Sequence, residues 1–131
     1  MTHMEKDGYG VIIAGSRGFT DYEAMKELCD ALLQDISERK TVTIISGGAR
    51  GADTLGERYA RERGYGVQRF PADWKRYGRS AGMIRNGEMA KAAKALIAFW
   101  DGQSPGTGNM IRTARRLGLD VHVVETGVNR E

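Results

Sequence analysis

Residues 41–53 read T-V-T-I-I-S-G-G-A-R-G-A-D, and the rest of the chain is arranged around them. A β-branched run, Thr41 to Ile45, meets Ser46 and two glycines, and a helical pattern starts near Ala52. The segment therefore reads as strand, glycine turn, helix. Gly47, Gly48 and Gly51 permit positive backbone dihedrals and close approach of a ligand, while a helix start offers free N–H groups and the positive end of a dipole. The same residues also suit an ordinary tight turn with Asp53 as helix cap. On this stretch alone both readings stay open.

Four further apolar runs flank it. Gly10 to Gly15 (G-V-I-I-A-G) has no polar alternation, as expected of a strand buried on both faces, and it ends in Ser16, Arg17 and Gly18. Asp21 is placed to cap a helix whose stripe is Met25, Leu28, Cys29, Leu32, Leu33 and Ile36. The second helix runs from about Ala52 to Arg63 and stops at Gly64. Gly66 to Phe70 reads as a shorter strand ended by Pro71. A mixed stretch with Trp74 and Tyr77 then leads into a helix predicted to continue to about Lys94. Trp74 and Tyr77 suit either a lid over a ligand or an anchor to the core. Ala95 to Phe99 is a fourth strand, and the glycine turn recurs at Gly106 and Gly108, with Thr107 as the predicted N-cap. Asp120 to Val124 is a fifth strand holding His122 as a structural histidine, and Glu125 to Glu131 reads as frayed.

The order β-α-β-α-β-α-β-α-β predicts an α/β three-layer sandwich, Rossmann-like, with a parallel five-stranded sheet, in one domain with its core at about 10–124. Glycine turns after strands one, two and four then open on one edge of the sheet, which favours a single cleft for a phosphate-containing ligand.

Composition narrows the classes. The chain has 131 residues, 40% hydrophobic, enough for one domain with a real core. No apolar run spans a bilayer, and Met1 to Gly8 lacks the apolar middle of a signal peptide, so a cytoplasmic location without membrane contact is expected. Cys29 is the single cysteine and the histidines number two, so neither a disulfide framework nor a metal cluster is expected. No cofactor is expected either. The net charge is +3, and nine of the basic residues lie between Arg50 and Arg85 against four acids. That side favours an anionic partner, although Glu57, Arg58, Arg61 and Glu62 also have the spacing of exposed helix pairs. G-x-x-x-x-G-K-[ST], G-x-G-x-x-G after the first strand and G-x-S-x-G are all absent, which disfavours a P-loop ATPase, a dinucleotide dehydrogenase and a serine hydrolase.

The set V-I-I-A-G-S-R-G-F (11–19), I-S-G-G-A-R-G-A-D (45–53), A-G-M-I-R-N (81–86) and F-W-D-G-Q-S-P-G-T (99–107) resembles the YspA group, related to cpYpsA, of the SLOG superfamily. That superfamily also holds the DNA-processing protein DprA and the LONELY GUY phosphoribohydrolases. The resemblance implies a Rossmann-like fold whose glycine loops bind nucleotides or nucleotide-derived ligands, often within a homodimer. It assigns ligand binding to Gly15, Ser16, Arg17, Ser46, Gly47, Gly48, Ala49, Gly51, Asp53, Arg85, Asn86, Gly106 and Thr107. In that assignment Arg17 and Arg85 neutralise phosphate, and Asp53 or Asp101 receives ribose hydroxyls. The phosphoribohydrolase branch carries glutamates soon after P-G-G-x-G-T, whereas this chain has Asn109 and Met110 there, and Asn86 where that branch has Lys.

Three functions follow. The leading one is a binding or sensing module for a nucleotide or ADP-ribose-like molecule. The second is a nucleotide N-glycosidase with Asp101 as the catalytic carboxylate, since glycosidic cleavage needs one. The third is a single-stranded DNA binder using the basic stretch with Trp74 and Tyr77 as stacking platforms.

Overall fold

The computed structural model describes residues 7–126. Its elements in order are β1 (Gly8–Gly15), α1 (Tyr22–Arg39), β2 (Thr41–Ser46), α2 (Ala52–Arg63), β3 (Gly66–Arg69), α3 (Trp74–Tyr77), a 3-10 turn (Gly78–Ser80), α4 (Ala81–Ala92), β4 (Ala95–Trp100), α5 (Pro105–Arg116) and β5 (Asp120–Glu125). All strand pairs are parallel, in the order β3-β2-β1-β4-β5. The predicted three-layer, Rossmann-like α/β fold with a five-stranded parallel sheet is the observed one.

Why the central strands are uninterrupted apolar runs follows from period two. Val11 and Ile13 of β1, with Ile97 and Phe99 of β4, pack against α1 and α2 through Met25, Cys29, Leu33, Ala52 and Tyr59. Ile12 and Ala14, with Leu96 and Ala98, pack against α4 and α5 through Met89, Ala90, Met110 and Ile111. Each face needs its own apolar set, so no polar residue alternates in. Register puts Ile13 beside Ile97 and Ile12 beside Ile45, so the three central strands present their large side chains at one level.

The helix ends obey local chemistry. Asp21 accepts from Ala24 N at 3.1 Å, capping α1, and Gly64 closes α2 in the left-handed region at φ 76°. Several boundaries differ from expectation. β1 begins at Gly8. Helix α4 ends at Ala92, because Ala93 is extended and Lys94 N is committed to Gly10 O at 2.8 Å. Helix α5 starts at Pro105 with Ser104 as N-cap, so Thr107 lies inside the first turn; proline lacks the N–H that a first helical residue would leave unpaired. Glu125 is the last residue of β5, and the remainder of the tail read as frayed lies, but for Thr126, outside the described residues. β3 has every residue exposed, unlike the buried strands.

One contact sets the edge where the loops emerge. A Cβ built on Gly15 would collide with the Phe99 carbonyl oxygen and lie 2.8 Å from Ala52 Cβ. The end of β1 is thus wedged between β4 and the first residue of α2. Gly15→Ala should lower stability by at least about 2 kcal/mol, because backbone on one side and a helix on the other leave it nowhere to go. Gly18→Ala, with open space around it, should change stability by less than about 0.5 kcal/mol. Urea unfolding of the pair checks this; equal effects would show that Gly15 is not a packing requirement.

Candidate functional site

At the carboxyl edge of the sheet, strand order reverses between β1 and β4, the position where open parallel sheets gather ligands. Loops after β1, β2 and β4 meet there. Ser16, buried, anchors the first: its N–H donates to Phe99 O at 3.0 Å, and its carbonyl accepts from Phe19 N at 3.1 Å and Ala52 N at 3.4 Å. Its hydroxyl accepts from Asp101 N at 3.0 Å, tying the β1 loop to the β4 loop.

The β2 loop is shaped from inside. Ser46 donates its hydroxyl to Glu57 Oε2 at 2.7 Å and accepts from Gly48 N at 3.0 Å. Glu57 is also gripped by Arg69, whose Nη2 and Nε donate at 2.6 and 2.9 Å, and that guanidinium beside it holds its carboxyl below the usual range. Glu57 is therefore a buried brace and not one of the exposed helix pairs expected; only Arg58 and Glu62 form that pair, at 3.2 Å. Gly48 and Gly51 have φ of 79° and 78°. Gly51 needs to be glycine twice over, since a Cβ would run into the Ser16 and Arg17 carbonyl oxygens, whereas Gly48 faces open space. Ala49 sits between them, its N–H donating to Asp53 Oδ2 at 3.2 Å and its carbonyl accepting from Thr54 Oγ1 at 2.9 Å. Asp53 is consequently not the helix cap; Gly51 holds that position and brings no side-chain acceptor.

The β4 loop closes on itself. Asp101 Oδ1 accepts from Ser104 N at 2.7 Å and Gln103 N at 2.8 Å, and Oδ2 accepts from Ser104 Oγ at 2.9 Å. These donors, Ser104 N first, pull the Asp101 carboxyl down to about 2. Ser104 Oγ also lies 3.3 Å from Ser16 Oγ. Helix α5 then starts with no side-chain cap and no acid in its first turn, and Gly106 and Thr107 stand at that N-terminus, Thr107 buried and Gly106 open.

Arg85 and Asn86 on α4 bridge the two outer loops. Arg85 Nη1 donates to Gly47 O at 2.9 Å and Phe70 O at 3.3 Å, and its Nε donates to Asn86 Oδ1 at 3.2 Å. Asn86 Nδ2 passes the link on to Asn109 Oδ1 at 2.9 Å and Gly106 O at 3.3 Å. Arg17 and Arg50, by contrast, are exposed on the β1 and β2 loops and pair with no other described side chain.

The edge thus brings together Gly15, Ser16, Arg17, Ser46, Gly47, Gly48, Ala49, Gly51, Asp53, Asp101, Gly106 and Thr107, with Arg85 and Asn86 spanning between loops. Sequence reasoning passed over Arg69 and Ser104, and it read Glu57 as part of an exposed helix pair and Asn109 only as a departure from the phosphoribohydrolase pattern; their partners are distant or sit in loops without a pattern. Arg50 carried a signal, lying inside the glycine motif, but reads there as part of a diffuse basic stretch.

Two recesses lie nearby. One of 490 Å³ follows α1 and is lined by Asp21, Glu23, Glu27 and Asp30, with Lys26 the one basic residue in the lining and Arg63 paired to Asp30 at 2.7 Å, an acidic balance that disfavours an anion. The other, a cleft of 160 Å³ between α3 and α4, has Arg85 in its lining. Among the described residues no group of three or more metal-binding side chains is assembled, and no helix is long and apolar enough to cross a membrane.

Residues 10–77, which carry the β1 and β2 loops, match the YspA, cpYpsA-related SLOG family. The chain belongs to that family. As a SLOG protein it is 36% identical over 118 residues to the Gene 61 protein of Mycobacterium phage D29, covering 85% of this chain and 92% of that one. In fold it is similar to DNA processing protein A (DprA) from Streptococcus pneumoniae, with a TM-score of 0.69 at 17% identity over 93% of this chain and 52% of that one. It is also similar to TM1055, with a TM-score of 0.59 at 19% identity over 90% of this chain and 72% of that one. At those identities the two structures speak for the fold of this SLOG domain.

Asp53 gives the edge a measurable signature. Burial raises its carboxyl to about 6, against the lowering effect of the Ala49 N–H and the Arg85 charge. A carboxyl raised in the fold holds its proton more tightly than in the unfolded chain. Its contribution to stability is therefore greatest below about pH 4 and is lost as pH rises through about 6. The stability of wild type relative to Asp53→Asn should fall by about 2 kcal/mol between about pH 4 and pH 7. Paired denaturation curves across that range test it, and a flat difference would mean that Asp53 is solvated as an ordinary carboxylate.

Proposed function

We propose that the protein binds a nucleotide or nucleotide-derived ligand, such as an ADP-ribose-like molecule, through its phosphate, and acts as a binding or sensing module. The observation that carries this reading is that α2 and α5 begin without side-chain caps on either side of the β1 loop. Apart from Ala52 N, which is given to Ser16 O, the first-turn N–H groups without side-chain caps and the positive dipole ends suit an anion. Gly48 and Gly106 leave the approach open, and Arg17 and Arg50 supply unpaired charge. In this proposal Arg85 and Asn86 hold the loops in place, instead of Arg85 contacting phosphate directly.

Asp101 fits the binding module better than the glycosidase. A carboxyl at about 2, with both oxygens engaged by its own loop, is deprotonated at neutral pH and a weak base, so it serves poorly as acid or base. Asn109 is committed to Asn86. Incubation with AMP, CMP and GMP should release no free base; rapid release abolished by Asp101→Asn would make the enzyme reading the better one.

A second reading, binding of single-stranded nucleic acid, is favoured by Trp74, which is 60% exposed beside Lys75, Arg76 and Arg79. The DprA named above is by its name a DNA processing protein. Arg17→Ala and Arg50→Ala should each weaken nucleotide binding by about 1.5 to 3 kcal/mol, the range for hydrogen bonds to charged groups, with Arg61→Ala unchanged. Calorimetry at two salt concentrations decides between the readings. Equal losses at all three arginines with a steep salt dependence would point to a nucleic-acid strand.

A further inference from the structure

The cleft between α3 and α4 is lined by Pro71, Arg76, Tyr77, Ile84, Arg85 and Glu88. At 160 Å³ it is too small for a whole nucleotide, since small-molecule sites run to about 300 Å³ and more, but it has room for one end of such a molecule. Arg85, one of the lining residues, joins the cleft to the glycine edge, because its guanidinium donates to the Gly47 and Phe70 carbonyls. A phosphate at Gly48 would therefore have this cleft as its neighbour.

The walls specify what enters. Pro71, Ile84 and the half-exposed Tyr77 ring offer flat apolar surface. Asp73, which also lines the cleft, is partly committed, accepting from Arg76 N at 3.1 Å. The Glu88 carboxylate and the Arg76 guanidinium have no hydrogen-bond or ion-pair partner among the described side chains; Arg76 only stacks over Tyr77 at 5.1 Å. Glu88 and Arg76 thus offer a free acceptor pair and a free forked donor to a largely polar recess, with Asp73 and Arg85 beside them and apolar surface only at Pro71, Ile84 and the Tyr77 ring. Among the bases, guanine presents the matching edges: adjacent N1–H and N2–H donors for a carboxylate, and the O6 and N7 acceptors that an arginine takes in pairs. Adenine offers no N1–H and turns a donor toward the arginine.

We propose that this cleft is a base subsite selective for guanine, with Glu88 reading N1–H and N2–H and Arg76 reading O6 and N7. The inference rests on the nucleotide-binding reading above and adds the identity of the base. Affinities for GMP, IMP, AMP and pyrophosphate, measured on wild type and on Glu88→Gln, test it. GMP should bind about tenfold or more tightly than AMP, with IMP between them for want of the 2-amino group. In Glu88→Gln that preference should shrink to about threefold or less while pyrophosphate affinity is unchanged. Equal binding of the three nucleotides, or a preference that survives Glu88→Gln, overturns the subsite; so does an equal loss of pyrophosphate binding, which marks Glu88 as merely structural. If pyrophosphate and every nucleotide fail to bind, the phosphate reading falls on its own, and guanosine then tests the cleft alone. Amide shifts at Tyr77 and Glu88 that Glu88→Gln abolishes support the subsite, and their absence at millimolar guanosine overturns it.

Discussion

The closeness of β1 and β4 at Gly15 governs the rest of the edge. With no Cβ there, the Phe99 carbonyl can accept from Ser16 N, and the Ser16 carbonyl is left to receive both Phe19 N and Ala52 N. Because α2 is drawn in by that last bond, Gly51 must pass over the Ser16 and Arg17 carbonyls, where a left-handed glycine alone fits. The position of the β2 loop is in this sense a consequence of a missing methyl group on β1.

Polar bonding inside this edge follows a consistent division. Buried side chains, Ser16, Ser46, Glu57, Asp53 and Asn86, spend their hydrogen bonds on loops and on one another. Burying such groups is tolerable only when they are paired, and each pairing fixes a backbone segment. The outward groups, the open glycines and the arginines of the first two loops, are those without internal partners. Rigid interior and unsatisfied exterior are what a preorganised anion site requires, since ordering is then complete before a ligand arrives.

How much of this was legible in the chain depended on distance along it. The central strands showed as apolar runs because both their faces are buried, and Asp21 and Gly64 marked helix ends by local rules. The family motifs carried the loops to the right edge of the sheet. Contacts across the fold left no such trace. Ser46 and Glu57 lie eleven positions apart, and Arg85 reaches thirty-eight positions back to Gly47, so no spacing announces either. Thr107 was misplaced as a cap because its side chain suits one, while the proline two residues earlier had already started the helix.

The outer edge of the sheet has a consequence for how the molecule meets its neighbours. β3 is four residues long, from a glycine to an arginine clamped on Glu57, and its side chains stand in solvent. An unpaired strand edge can template another chain, yet one this short gains few ladder bonds, and a clamped arginine at its end resists the regular side-chain alternation that a joining strand would need. The sheet is thereby self-terminating on that side. The exposed residues that follow β3, from Trp74 to Ser80, can stay open to solvent without the backbone beside them becoming adhesive.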